Sequence, residues 1–282
     1  MKTIITSSDR SFLNVGELKT YAGLLRYLSL RDVFVRYKQT WLGFGWSVIR
    51  PLINIIIFGG LSYLVDRSQN FLEKFIMVSA GIVFWQLLST ALTDISNSLA
   101  NNSNILTKVY FPKLILPLSS IFVCLVDFLI AFIIFLFIFI FFKGLPPWQF
   151  IFLPLVIFYG LVFCFGVGLI IATASVKYRD VKFILPFLIQ ILFYASPVFL
   201  SSEFILGLNM PGALKIIYQL NPLVLILNSF KYCFYGNGAF AYLSMDALNP
   251  ILLLISVCIT AMILVFSARY FLNFEKSFAD YI

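Results

Sequence analysis

Two acidic side chains carry the first chemical question in this sequence. Asp127 is the one carboxylate deep inside an apolar stretch, and Asp94 stands near the end of another. Ionisable groups at membrane depth are costly, and they serve proton relays and polar solute paths. Asp127 therefore reads in two ways: as a carrier of protons or a contact for polar solute, or as a packing residue bonded to Ser or Tyr of a neighbouring helix. A relay draws on His or a basic partner, and the chain contains no His. No Gly-x-x-x-x-Gly-Lys-[Ser/Thr] run occurs, so the backbone cradle for nucleotide phosphates is missing. Energy for moving a solute must come from another subunit or from a gradient. Cys124, Cys164, Cys233 and Cys258 are scattered, three of them within apolar runs. That spacing predicts buried apolar filler and neither a disulfide framework nor a metal site. Glu203 and Asp246 are further acids, but nothing pairs them into an acid/base couple.

The elements that must hold these residues are membrane helices. Of 282 residues, 61% are hydrophobic and 11% charged, too apolar for a core of this length to hide from water. A cytosolic enzyme, a disulfide scaffold and a disordered chain are excluded, and lipid is the solvent for most of the chain. Six stretches are predicted to cross, at 41–65, 75–95, 114–142, 150–175, 183–200 and 248–271. Arg50-Pro51 interrupts the first, with Arg50 snorkelling to an interface. Pro186, Gln190 and Ser196-Pro197 make the fifth the weakest, bent or broken.

Orientation follows from the 20 basic residues, which outnumber the 12 acidic ones. Arg67, Lys74, Lys143, Lys215 and Lys231 fall on one side of the six spans, leaving 15 on the side of the N-terminus. The positive-inside rule puts both termini in the cytoplasm. The first twenty residues hold no apolar run of signal-peptide length, which fits that expectation. Residues 21–39 mix Leu24, Leu25, Leu28, Val33 and Val35 with Arg26, Arg31, Arg36 and Lys38. They predict a basic amphipathic helix along the inner membrane surface, or the positive flank of the first span.

Two connections stand out. Residues 96–113 are polar, with Leu99, Ile105, Leu106, Val109 and Tyr110 able to give a short helix an apolar face. Residues 201–247 form an external connection containing two short apolar helices, at 211–220 and 222–235, split by Asn221-Pro222. They should pack on, or dip into, the outer surface. Trp41, Trp46, Trp85 and Trp148 fall near span ends as interfacial anchors. The Phe-rich run 132–142 faces lipid by default, while an inward fraction could form a smooth aromatic wall for sugar faces. Gly43, Gly45, Gly59, Gly60, Gly166 and Gly168 permit close helix approach.

The text RDVFVRYKQTWLGFGWSVIRPL at 31–52, with Arg36, Tyr37, Lys38, Leu42, Gly43, Trp46 and Pro51, resembles the opening of polysaccharide-export ABC transporter permeases. ILTKVYFPKLILPLSS (105–120), KYRDVKFILPFLIQILFYASPVF (177–199) and the tail EKSFADYI (275–282) are similar to the same family, in family order. The resemblance implies an all-α membrane protein of six transmembrane helices per chain, with an N-terminal interface helix and short periplasmic gate helices. The expected organisation is one permease domain over 1–282: cytoplasmic N-terminus and interface helix 1–40, spans one to five 41–200, periplasmic helices 201–247, span six 248–271 and cytoplasmic tail 272–282. Such permeases work as homodimers in the bacterial inner membrane. The resemblance implies a separate nucleotide-binding ABC ATPase that holds ATP and Mg, so this chain is expected to bind no cofactor or metal and to perform no catalysis, and no nucleic-acid partner is expected.

Carried over by position, the resemblance assigns ATPase coupling to Asn101, Asn104, Lys108, Tyr110, Phe111 and Pro112, flanked by Tyr178, Arg179 and Asp180. The expected cargo is an undecaprenyl-diphosphate-linked polysaccharide. Arg26, Arg31, Arg36 and Lys38 would gather its diphosphate, with the turn of Trp41, Gly43 and Trp46 at the channel entrance and Asp127 as a channel residue. The tail and the aromatic content favour O-antigen over capsule or teichoic acid. A proton-coupled secondary transporter and a membrane glycosyl transferase are the rivals, and neither has its ionisable machinery in this sequence.

Overall fold

The structure, a computed structural model, describes residues 19–38, 45–65, 71–106, 108, 111–178, 180–198, 202–207, 211–235 and 250–275. Every regular element among them is helical, as a chain in lipid requires when each backbone group must be satisfied within its own segment. In order they are α1 (Ala22–Lys38), α2 (Gly45–Val65), α3 (Phe71–Asn101), α4 (Ser103–Leu106), α5 (Ile115–Lys143), a 3-10 turn (Trp148–Phe152), α6 (Leu153–Lys177), α7 (Val181–Tyr194), α8 (Ser202–Gly207), α9 (Gly212–Leu220), α10 (Pro222–Tyr235) and α11 (Pro250–Glu275).

Four segments are long and apolar enough to cross a bilayer: α3, α5, the 3-10 turn continued into α6, and α11. The pair α9–α10, bent by 65°, makes a fifth when taken as one broken span. The first and fifth expected crossings are shorter. The apolar part of α2 is Val48–Leu61, which carries Arg50-Pro51 in its first turn. Helix α7 has 14 residues. At 1.5 Å per residue it reaches about 21 Å, against a hydrocarbon thickness of about 30 Å. It gives way to a turn at 195–198, where Ser196-Pro197 cannot continue the helix.

Helix α3 is the hub. Its 31 residues exceed the expected 75–95 at both ends, and it packs against α2, α5, α6, α7 and α10. Gly168 of α6 lets that helix close on α3: a Cβ there would sit 2.7 Å from Ile95 Cγ2. The Phe-rich run divides between an inward and an outward face. Phe128, Phe132, Phe135 and Phe139 turn inward and are buried with Phe84, Phe230 and Phe234. The Phe84 and Phe230 rings stack at 4.1 Å, and Phe135 meets Phe234 edge-on at 5.0 Å. These rings are core, closed to any solute, because α10 fills the space in front of them. Phe137 and Phe141 point outward, as lipid-facing residues do.

Helix α10 is therefore no surface element. Ten of its 14 residues are buried, whereas α9 has none buried. Cys124, Cys164 and Cys233 are buried as expected, but Cys258 is exposed on α11, and all four are free thiols.

The two ends of the bundle are distinct. At one, Arg31 meets Asn102 and Lys113 Nζ donates to the Glu275 carbonyl at 3.3 Å. At the other, Lys143 pairs with Glu73 at 2.7 Å, and the Tyr235 hydroxyl donates to the Glu73 carbonyl at 3.1 Å. Helix α1 does not lie across the first end. Its Leu28 shares a buried cluster with Ile115 and Leu116 at the start of α5, while Arg36 and Tyr37 reach Asp127 halfway along it. It thus runs beside α5, with Tyr27, Leu30 and Phe34 forming an exposed apolar stripe whose successive members are one turn apart. Arg36 turns inward from this helix, while Arg26 and Lys38 are exposed.

Candidate functional site

The hub helix α3 is buried nearly all round. Between Ile76 and Ala100, seven residues alone retain exposure: Gln86, Ser89, Thr90, Thr93, Asp94, Asn97 and Ala100. Six are polar, and the spacing of 86, 90, 93 and 97 repeats with the helical turn. The one open face of the most buried span is a polar lane. From Gln86 to Asn97 it extends roughly 16 Å.

The hydrogen bonds give the lane its chemistry. Thr90 Oγ1 donates to the Gln86 carbonyl and Thr93 Oγ1 to the Ser89 carbonyl, both at 2.7 Å. Ser89 Oγ donates to the Gln86 carbonyl at 3.2 Å. With the hydroxyl protons turned back on the helix, the oxygens face outward as acceptors. The Gln86 Oε1 atom is buried without a donor among the described residues. Such a face suits a ligand rich in hydroxyl donors and is poorly matched to lipid tails.

At the edge of the lane lies an ion-pair node. Arg36 Nη2 donates to Asp94 Oδ2 at 2.6 Å, and Nη1 to Asp127 Oδ2. The Tyr37 hydroxyl donates to Asp127 Oδ1, and the Cys124 thiol to Asp94 Oδ2 at 3.3 Å. The guanidinium thus sits between two carboxylates from neighbouring spans. Arg36 is 35% exposed and Asp127 16%, which places the node between lane and core.

Most residues expected at the site from sequence fall within the described residues. Asp127 bonds a Tyr of a neighbouring helix, as its packing alternative has it, and it has the basic partner that linear reading did not find. Arg36, expected to gather the diphosphate, is paired with two carboxylates. Arg31 pairs with Asp32 at 2.7 Å and donates to Asn102 Oδ1 at 3.1 Å. Lys38 and Trp46 are exposed. Phe111, expected at the partner contact, is 4% exposed and packs with Leu99, Ile115 and Leu169, where an aromatic ring gains from the core. Asn101, Lys108, Tyr178 and Asp180 are exposed and Pro112 half-buried. Trp41, Gly43, Tyr110 and Arg179 lie outside the described residues, as does the side chain of Asn104. The lane itself was missed. Its signal, polar residues at turn spacing within an apolar run, is written in 86–97.

Comparison with known proteins gives this arrangement a context. Residues 24–235 match the ABC-2 type transporter family. The chain is 28% identical over 221 residues to the O-antigen export system permease protein RfbA of Myxococcus xanthus, covering 78% of this chain and 84% of that protein. It is 29% identical over 232 residues to a protein of the same name from Klebsiella pneumoniae, covering 78% and 82%. The family match spans the node, the lane and α10 together, on apolar helices that cross a bilayer several times. The chain is a multi-pass membrane protein and belongs to the ABC-2 type transporter family.

Proposed function

We propose that this chain is the permease subunit of an ATP-driven exporter that carries undecaprenyl-diphosphate-linked O-antigen polysaccharide across a bacterial inner membrane. Two copies form the path through twelve crossings, with both termini of each in the cytoplasm and α8 to α10 gating the outer end. A separate nucleotide-binding subunit binds ATP and Mg, and grips the exposed residues Asn101, Lys108, Tyr178 and Asp180. The relatives from Myxococcus xanthus and Klebsiella pneumoniae support the cargo. The observation that carries the reading is the lane: a row of outward acceptors on an otherwise buried span matches a hydroxyl-rich chain and not a lipid tail. A proton-coupled route is disfavoured, since Asp127 is engaged by Arg36 and Tyr37.

Replacing the lane tests this. With Thr90→Val, Thr93→Val and Asn97→Leu combined, surface O-antigen should fall several-fold while lipid-linked polysaccharide accumulates inside, as seen by silver-stained gels of both fractions. Unchanged surface O-antigen, or loss of capsule or teichoic acid in its place, would sink the assignment.

A further inference from the structure

Arg36 bridges the two spans that the 102–114 connection joins. Asp94 belongs to α3, which leads into that connection, and Asp127 belongs to α5, which leaves it. The same helix that carries Arg36 also touches the connection itself, through Arg31 Nη2 on Asn102 Oδ1 at 3.1 Å and through Leu28 in the cluster of Leu99, Phe111 and Ile115. Between those points and Arg36, α1 contains neither Gly nor Pro, so it transmits displacement along its axis as a rod.

The charges make the bridge two-state. With the guanidinium seated, one positive group faces two carboxylates and the node carries one net negative charge. With it withdrawn, two carboxylates on neighbouring antiparallel spans face each other at membrane depth, where screening is weak and their repulsion favours separation and water entry. Asp94 is also a lane residue, so separation there widens the lane.

We propose that Arg36 is a clasp, a positioning residue that holds α3 to α5 while α1 is seated and lets them part when movement of the 102–114 connection pulls α1 away. The inference rests on the exporter reading for the source of that movement. It is a statement about this chain's own helices and does not depend on what is carried.

The chain supplies its own reporter. Cys124 is fully buried beneath the clasp, with its thiol on Asp94. In the whole transporter with its ATPase subunit in nanodiscs, and with Cys164, Cys233 and Cys258 replaced by Ser, the probe is methanethiosulfonate labelling of Cys124. An open form that is at most about a tenth populated at rest should give roughly tenfold faster labelling once ATP turnover makes it dominant. R36Q should label fast with or without ATP, and R36Q/D94N/D127N should return to slow labelling in both conditions. R36K, which reaches one carboxylate at a time, should fall between wild type and R36Q and guards against a folding defect in R36Q. Equal labelling of the wild type with and without ATP, or an R36Q that keeps the wild-type ATP dependence, would overturn the clasp. ATP-dependent labelling in a transporter that exports no O-antigen would instead remove the cargo assignment and leave the clasp standing.

Discussion

At the scale of single residues, tolerance to substitution follows from what a side chain would touch. Gly168 faces Ile95 so closely that an added Cβ would lie 2.7 Å from Cγ2 and 3.0 Å from Cβ. Neither atom is the free end of a flexible chain, so α6 and α3 must separate to admit it. Gly168→Ala should therefore cost about 1–3 kcal/mol, the usual penalty for overpacking. Gly60 has nothing within 4 Å of its added Cβ, so Gly60→Ala should be close to neutral. Thermal melting of the two variants in one detergent distinguishes them: a Gly168→Ala transition at the wild-type temperature would contradict the packing. Both glycines are visible in the sequence as small residues within apolar runs. Which of the two is at a contact is not, because helical rotation is set by neighbouring helices.

At the scale of elements, the Phe-rich α5 divides into two faces of unequal weight. Phe132, Phe135 and Phe139 hold α10 in the bundle through Phe230 and Phe234, while Phe137 points away at 74% exposure. Phe230→Ala removes a ring stacked on Phe84 and should destabilise by about 3–5 kcal/mol, since the cavity cannot close between rigid helices. Phe137→Ala should leave the fold intact. Limited trypsin digestion after Lys215 and Lys231 reads this directly, with earlier cleavage at Lys231, now buried, expected in the first variant and not in the second. The run of alternating Phe and Ile announced a membrane helix, and the helix forms over nearly the predicted residues. Its inward face was not legible, because in an all-apolar run no amphipathic contrast marks one side from the other.

At the scale of the whole molecule, the bundle separates its charges by end. Arg31, Asn102, Lys113 and Glu275 gather at one, with Glu73, Lys143 and Tyr235 at the other. Under the proposed orientation, Lys108→Cys should react with a membrane-impermeant maleimide only after the inner membrane is opened, and Leu145→Cys in intact spheroplasts. Both positions are exposed, so access depends on the side alone. Labelling of both from the same side would refute the topology. The positive-inside count predicts the same division, and it does so without any tertiary contact.

Read alone, the sequence determined the solvent, the helical class, the charge asymmetry and the approximate bounds of the longest spans. Those properties are sums over local composition, and a backbone in hydrocarbon has one way to satisfy itself within a single segment. Tertiary structure decided the rest. It seated α1 beside α5, brought Arg36 between two carboxylates 58 and 91 residues away, drove α10 into the core and left one polar face of α3 open. Each of these is a choice of partner between helices that are apolar on nearly every side. Such choices rest on the fit of side chains and the pairing of a few charges; of them, the polar face of α3 alone has a signature along the chain, in the turn spacing of 86–97.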